Sequence, residues 1–269
     1  MDTKINNGEN RTNVEYFKPL LQQFISKNRN LYEESGYPYG IFIPYTLPNY
    51  VNAPVKILYA GRDTYYWTDK SVMMNCYDNN RLEDYFAESQ LNITVEKSLN
   101  WKNSAGAFWS FVDKLHLFVR TGKICDLTNL SDKEIEILKE IGYGNINCME
   151  VNKTLFKNEG RDRADFDIDK LSLLRRESRV FDNIEHILKA YNPDFIVILN
   201  WEDRDDYFGN IKFKWHEDLY IDKKRAVYTL EGYDTKIIWG SHPNRFKFLS
   251  ENQESMINNL GSMILKLMK

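Results

Sequence analysis

Four apolar runs along the chain end in the same way, each stopping at a glycine or a polar residue. Val55 to Ala60 runs into Gly61-Arg-Asp-Thr-Tyr-Tyr66, Ile146 to Val151 into Asn152, Phe195 to Leu199 into Asn200, and Ile237 to Trp239 into Gly240-Ser-His-Pro-Asn244. Short runs of this kind, bounded by turn residues, read as buried strands. As parallel neighbours in one sheet they would bring their polar ends to a single edge. Ligands of open α/β sheets bind in the crevice outside the carboxyl ends of the strands. The pattern therefore directs attention to Asp63, Asn152 and His242.

Helical spacing fills the intervals. Val14, Phe17, Leu21, Phe24, Ile25 and Leu31 form a stripe behind a polar leader, with Pro19 near the helix start, where its missing donor is harmless. Tyr37 to Pro54 alternates prolines with aromatics and reads as an irregular connection packed on the body. Thr68 to Asn100 carries no sustained period and is assigned no structure. Phe108, Phe111, Val112, Leu115 and Val119 make a second stripe behind Ser104, a candidate cap. Ser131-Asp-Lys-Glu134 has capping-box spacing and opens a short helix ending near Gly142, before a strand from Asn145 to Val151.

A charged connection from Lys153 to Lys170 leads to one long helix marked by Leu174, Phe181, Ile184, Ile187, Leu188 and Tyr191, which Asn192-Pro193 stops. Arg225 to Leu230 and Lys236 to Trp239, around Glu231-Gly-Tyr-Asp234, read as a hairpin. Ser250-Glu-Asn-Gln253 repeats the capping-box spacing before a last helix that buries Met256, Leu260, Met263, Ile264 and Leu267. Helices alternating with strands predict a three-layer α/β/α fold with a central, mainly parallel sheet. No repeat, low-complexity tract or linker divides the chain, so residues 1–269 are expected to form a single domain with an N-terminal helical extension.

Composition narrows the class. With 42% hydrophobic and 28% charged residues the chain belongs with globular proteins rather than disordered or fibrous ones. Its net charge of -3 neither announces nor excludes a polyanionic partner, because nucleic-acid binding depends on a local basic face. Cys76, Cys125 and Cys148 are odd in number and widely spaced, which suggests no disulfide framework and fits a reducing cytoplasm. The polar stretch from Met1 to Asn13 lacks the apolar core of a signal peptide, and no run approaches the roughly 18 residues of a membrane span. The expected location is cytoplasmic, away from any membrane.

Candidate chemistry gathers at the strand ends. Asp63 offers a carboxylate just past a strand, beside Tyr65, Tyr66 and Trp67, which could face a planar ligand; an aspartate there equally caps a turn, and the rings equally pack half-buried. His242 is the only one of the four histidines at a predicted strand end. A proline-stiffened loop holds it, and imidazole can donate a hydrogen bond to a developing anion, although a structural role is open to it as well. Asn152 also reads as a turn former.

Other motifs fail on spacing. Gly142-Tyr-Gly144 precedes a strand instead of following one, so it is no dinucleotide loop. Asp165, Asp167 and Asp169 begin like a calcium loop, but Lys170 and Arg176 stand where its glycine and glutamate belong. Cysteines and histidines show no zinc spacing, and neither a Gly-x-Ser-x-Gly elbow nor a phosphate loop occurs. No metal or cofactor is expected. The basic run of Arg161, Arg163, Lys170, Arg175, Arg176 and Arg179 is interleaved with acids and reads as a solvated surface.

The order of these signals is similar to that of the uracil-DNA glycosylase superfamily. A strand ends in Gly61-Arg-Asp-Thr-Tyr65, a later one in Asn152 followed by Lys-Thr-Leu, a third follows Asn192-Pro-Asp194, and the last leads to His242-Pro243. In that family the first motif usually reads Gly-Gln-Asp-Pro-Tyr-His and the last His-Pro-Ser before a helix. The match spans roughly residues 50 to 267. It implies a uracil-DNA glycosylase-like fold in which Asp63 positions water and stabilises the cationic sugar, and Tyr65 closes the pocket against bulky bases. Asn152 would read the flipped base, and His242 would hydrogen-bond that base as it leaves. By the same resemblance Gly61, Arg62 and Tyr66 complete the base-binding stretch, Ser241, Asn244 and Arg245 contact DNA, and Phe86 is the candidate for the stacking aromatic.

Breaking an N-glycosidic bond separates charge, so a carboxylate near the sugar and a donor near the base both stabilise the transition state. The base must first leave the helix. Thr64, Tyr66 and Asn244 depart from the family's proline, histidine and serine, which leaves open a modified or bulky base, or a relative that has lost the reaction. Two readings follow: a DNA-base glycosylase acting as a monomer on single- or double-stranded DNA, or a non-enzymatic relative that binds nucleic acid or a protein through the same edge.

Overall fold

The computed structural model describes residues 13–61, 68–91, 106–149, 166–182, 184–200, 205–216, 225–243 and 252–269. Among these, seven strands form one sheet: β1 (Tyr45–Thr46), β2 (Ile57–Gly61), β3 (Ile141–Asn145), β4 (Phe195–Leu199), β5 (Phe213–Trp215), β6 (Ala226–Leu230) and β7 (Lys236–Gly240), in the spatial order β1-β3-β2-β4-β7-β6-β5. The central β3, β2, β4 and β7 are parallel, and β1 and the β6–β5 pair add antiparallel edges.

β2 and β4 are buried at every position because both faces of the sheet are covered. Ile57 and Tyr59 of β2 and Phe195, Val197 and Leu199 of β4 enter one core, while Leu58, Ala60, Ile196 and Ile198 enter the other. The chain is thus an α/β protein with a mostly parallel central sheet. The hairpin expected around residues 231–234 is present as β6 and β7, with Ala226 opposite Trp239.

The helices are α1 (Val14–Glu34), α2 (Lys70–Asp78), α3 (Leu82–Leu91), α4 (Gly106–Thr121), α5 (Asp132–Leu138), α6 (Ile168–Ser178), α7 (Ile184–Tyr191) and α8 (Gln253–Leu267). The first core takes Phe17, Leu21 and Phe24 of α1, Phe111, Val112 and Leu115 of α4, and Met256, Leu260 and Ile264 of α8. The second takes Ile184, Ile187 and Leu188 of α7. Asn13 caps α1 by accepting from the Tyr16 N–H at 3.1 Å. Ser131 and Glu134 form the expected box on α5: the Glu134 carboxylate accepts from the Ser131 N–H at 2.7 Å, and the Ser131 hydroxyl accepts from the Glu134 N–H at 3.4 Å. Among the described residues no helix is long and apolar enough to cross a membrane.

Several elements differ from the sequence expectation. The second parallel strand is Ile141–Asn145, not Asn145 to Val151. Its glycines are strand residues because neighbours lie against them: a Cβ on Gly144 would come within 2.9 Å of the Leu58 Cδ2, and one on Gly142 within 3.0 Å of the Tyr50 ring. Ile146 leaves the strand, though its N–H still donates to the Gly61 carbonyl at 3.0 Å.

The single long helix before Asn192 is two, α6 and α7, separated by the 3-10 turn Arg179–Phe181. At this break the chain passes from the first core, where Leu171 and Leu174 lie, to the second. The Asp182 carboxylate there accepts from the Cys148 N–H at 3.1 Å. Helix α8 is capped by Asn252, which accepts from the Ser255 N–H at 2.8 Å, rather than opening at Ser250. Pro19 lies inside α1, beyond its first turn. The unassigned stretch from Thr68 contains α2 and α3.

The amino ends of the strands are tied together. The Asp194 carboxylate accepts from the Lys56 N–H at 2.7 Å and the Asp194 carbonyl from the Lys236 N–H at 3.0 Å, while the Thr235 hydroxyl donates to the Pro193 carbonyl at 2.5 Å. With β2, β4 and β7 fixed where they start, Gly61, Asn200 and Ser241 come out along one edge.

Candidate functional site

The chain enters the parallel sheet at β2, moves outward to β3, and then crosses back over β2 to β4 and β7. Successive connections therefore leave β2 in opposite directions. The boundary between β2 and β4 is the topological switch point of the sheet, the place where open α/β sheets bind ligands beyond the carboxyl ends of their strands.

Three groups meet beside that boundary. Gly61 ends β2 and is buried, and the ring of Phe108 and the amide of Asn145 lie over it. A Cβ at Gly61 would come within 2.7 Å of the Asn145 Oδ1 and 3.4 Å of the Phe108 Cε2, so any side chain there would displace the Asn145 amide. His242, two residues past β7 and half-buried, stacks on the same Phe108 ring at 6.2 Å between centroids and 24° between planes. Ser241 is buried beside it. Between them, Asn200 follows β4; its N–H donates to the Gly240 carbonyl, and its carbonyl accepts from the Trp239 indole N–H, each at 3.0 Å. The floor is thus tied by one backbone bond and one from the Trp239 indole, with Phe108 joining its two sides.

Phe108 stands in the first turn of α4, and its orientation is set by what lies next to it. Trp109 packs edge-on against Phe108 at 5.4 Å and against Tyr143 of β3 at 4.8 Å. Further along α4, buried His116 lies with Nδ1 3.3 Å from the Tyr59 hydroxyl and Nε2 3.7 Å from Glu140 Oε2. Arg120 donates to both Glu140 oxygens, at 2.6 and 3.3 Å. Burial pushes the His116 pKa down, against the opposing pull of Glu140, so the ring is held neutral. Burial alone would raise the Glu140 pKa, but the neighbouring His116 imidazole and the hydrogen bonds from Arg120 outweigh it and keep the carboxyl below its ordinary value.

Of the residues expected from sequence, the structure places Gly61, Ser241 and His242 at this edge. Arg62, Asp63, Tyr65, Tyr66, Asn152, Asn244 and Arg245 lie outside the described residues. Asn152 does not end the second parallel strand; Asn145 does, and it touches Gly61. Phe86 is a core residue, 1% exposed in α3 beside Tyr85, so it is not the aromatic at the strand ends. Among the described residues Phe108 is the aromatic that lies over Gly61 and His242, and the sequence shows it only as one position of a helical stripe. Among the described residues no group of three or more His, Cys, Asp and Glu is placed to hold a metal ion.

The arrangement can do two things chemically. A flat ring and an imidazole side by side suit a planar, hydrogen-bonding ligand. The imidazole can also donate to an oxygen or nitrogen that gains negative charge. The architecture defines the class as an open α/β protein with a mostly parallel central sheet. Comparison with known proteins adds no closer relationship: no protein-family model and no curated protein sequence matches the chain.

Proposed function

We propose that the chain is a uracil-DNA glycosylase-like hydrolase that cleaves the N-glycosidic bond of a flipped base, uracil or a modified one. The observation that carries this reading is the meeting of Gly61 and His242 on one aromatic ring, Phe108, at the switch point of the sheet. These are the first residue of the Gly-x-Asp-x-Tyr motif and the histidine of the His-Pro motif, far apart in sequence.

In this reading Phe108 supplies the face on which the extracted base lies, and His242 donates to the base as its negative charge grows. Asp63, two residues beyond Gly61, stabilises the cationic sugar and orients the attacking water. Both charged ends of the transition state thus meet a group of the chain, and a preorganised donor such as His242 is typically worth about 100- to 1000-fold in rate. Asn145, leaning over Gly61, is placed to share with Asn152 the task of reading the base edge.

The test is incubation of the protein with DNA carrying a panel of normal and modified bases, followed by cleavage at abasic sites. The expected result is release of one base class, lost in Asp63→Asn. No abasic sites with any base, alongside DNA binding that survives, would leave a non-enzymatic nucleic-acid-binding relative instead.

A further inference from the structure

Between Asp167 and Arg179 the sequence interleaves arginines with acids, and the helix sorts them. At 3.6 residues per turn, Arg175, Arg179 and Arg176 fall within an arc of about 100° at the carboxyl end of α6. The buried side of the helix, carrying Leu171, Leu174 and Ser178, borders that arc. Exposure rises across it: Arg175 is half-buried, and Arg179 and Arg176 are exposed. The acids turn elsewhere. Glu177 pairs with Lys27 of α1 at 2.6 Å, while Asp167 caps the helix by accepting from the Lys170 N–H at 3.0 Å. Asp169 falls in line with Arg176 but stands two turns, about 10 Å, away. A helix dipole favours cations in the last turn on any side and does not gather them on one.

This face is fixed beside the strand-end edge. Arg175 donates to the Asn147 Oδ1 at 2.8 Å. The Cys148 N–H donates to the Asp182 carboxylate at 3.1 Å, and the Cys148 thiol donates to the Ser178 carbonyl at 3.0 Å. The end of α6 is thereby bonded to the chain that has just left β3. Asn147 follows Asn145 by two residues, at most about 7 Å of chain, and the Asn145 amide lies over Gly61.

We propose that Arg176 and Arg179, with Arg175 behind them, form a docking face for the phosphate backbone of the nucleic acid whose base enters the strand-end site. The proposal rests on the function proposed above and adds the surface that holds the strand. Guanidinium groups match phosphate oxygens in a two-pronged geometry. Four residues separate Arg175 from Arg179, about 6 Å along the helix, a span of one or two nucleotides of a strand. A protein partner fits less well. Its interface would need an apolar centre, and the nearest exposed apolar side chain, Leu173, lies about 60° beyond Arg176 around the helix. Nucleic-acid interfaces are instead polar and positively charged. Phosphate contacts place a strand without reading it, so the face serves any sequence around the target base.

The experiment is fluorescence anisotropy of a labelled duplex of about 20 base pairs, titrated with the full chain at about 50 to 200 mM salt. Arg176→Gln and Arg179→Gln, both at exposed positions and checked by circular dichroism, should each weaken binding about eightfold at about 0.1 M salt and lower the salt slope by about 0.9. Lys212→Gln, at an 83% exposed position by the amino ends of the strands, should change neither. Affinity and salt slope unchanged in the double variant Arg176→Gln/Arg179→Gln overturn the proposal, whether or not the chain releases a base. No measurable duplex binding by wild type overturns it too. So does arginine-dependent binding of poly-L-glutamate tighter than that of the duplex, which would assign the face to an acidic protein. The function proposed above fails separately: a chain that binds DNA through these arginines yet releases no base loses the glycosylase reading and keeps the face.

Discussion

Helix α4 is held to the sheet differently at its two ends. At the amino end the contacts are rings: Phe108 lies against Gly61 and His242, and Trp109 against Tyr143. Toward the carboxyl end they are polar, with buried His116 beside the half-buried Arg120–Glu140 ion pair. Ring contacts shape a surface without charge and lose little when one of them changes. Polar contacts near the interior matter more singly, because a group that loses its partner there is costly in a low dielectric. The comparison assigns chemistry to one end of α4 and anchoring to the other, and substitutions should separate the two.

The largest effect is expected at the ring end. His242→Ala should slow single-turnover base release about 100- to 1000-fold while moving the urea unfolding free energy by less than about 1 kcal/mol. An unchanged release rate would reduce the contact between His242 and Phe108 to packing. At the other end, Glu140→Ala removes the acceptor of Arg120 and the neighbour of His116 and should cost about 2 kcal/mol of stability. Base release per folded molecule should stay at the wild-type rate; a parallel loss of both would erase the distinction between the ends. Phe108→Leu keeps the apolar bulk but not the flat face. About tenfold weaker substrate binding is expected for it, within the range measured for base-aromatic stacking, with about 1 kcal/mol lost in stability.

The smallest effect is a pH dependence that belongs to the anchoring end. His116 ordinarily titrates near 6.5, and burial lowers it in the folded chain. Below about 6.5 the unfolded chain therefore binds a proton that the folded chain still refuses, so stability falls as the pH drops through that window. His186, half-buried on α7, shifts in the same direction for the same reason. His116→Gln should accordingly flatten the urea midpoint between pH 7 and 5, and adding His186→Gln should flatten it further. Glu140 acts in a separate window. Its carboxyl is held below its ordinary 4.5, so its contribution is present at neutral pH and lost only on acidification below that value. A midpoint in His116→Gln that falls as steeply as in wild type would show that the histidine is not the group responsible.

What the sequence makes legible follows from the same physics. β2, β4 and β7 stand out because strands covered on both faces are apolar at every position, and Gly61 and His242 stand out because they sit at sharp ends of such runs. β3 is hidden because Gly142 and Gly144 look like breakers, whereas the glycines are there to let Tyr50 and Leu58 reach the backbone. The same misplacement hides Asn145, which reads as the start of a strand instead of its end. Phe108 shares its period with Phe111, Val112 and Leu115, and period reveals which face of a helix is buried but not which turn overhangs the sheet edge. The split between α6 and α7 escapes for a related reason, since each half keeps an apolar stripe while the two enter different cores.

The Asp194 clamp also sets an order of assembly. Its carboxylate holds the amide of Lys56, 138 positions earlier in the chain, and the strands that flank β2 are likewise remote from it in sequence. β6 and β7 are joined by a short turn. Distant pairings return nothing until their long loops have closed, so the hairpin should form early and β2 late. Folding kinetics would show this as a high φ-value for Val227→Ala and one near zero for Ile57→Val. The strand-end edge that needs β2, β4 and β7 side by side then exists only in a chain that has finished folding, and under the proposed reading no partly folded form would act on a base.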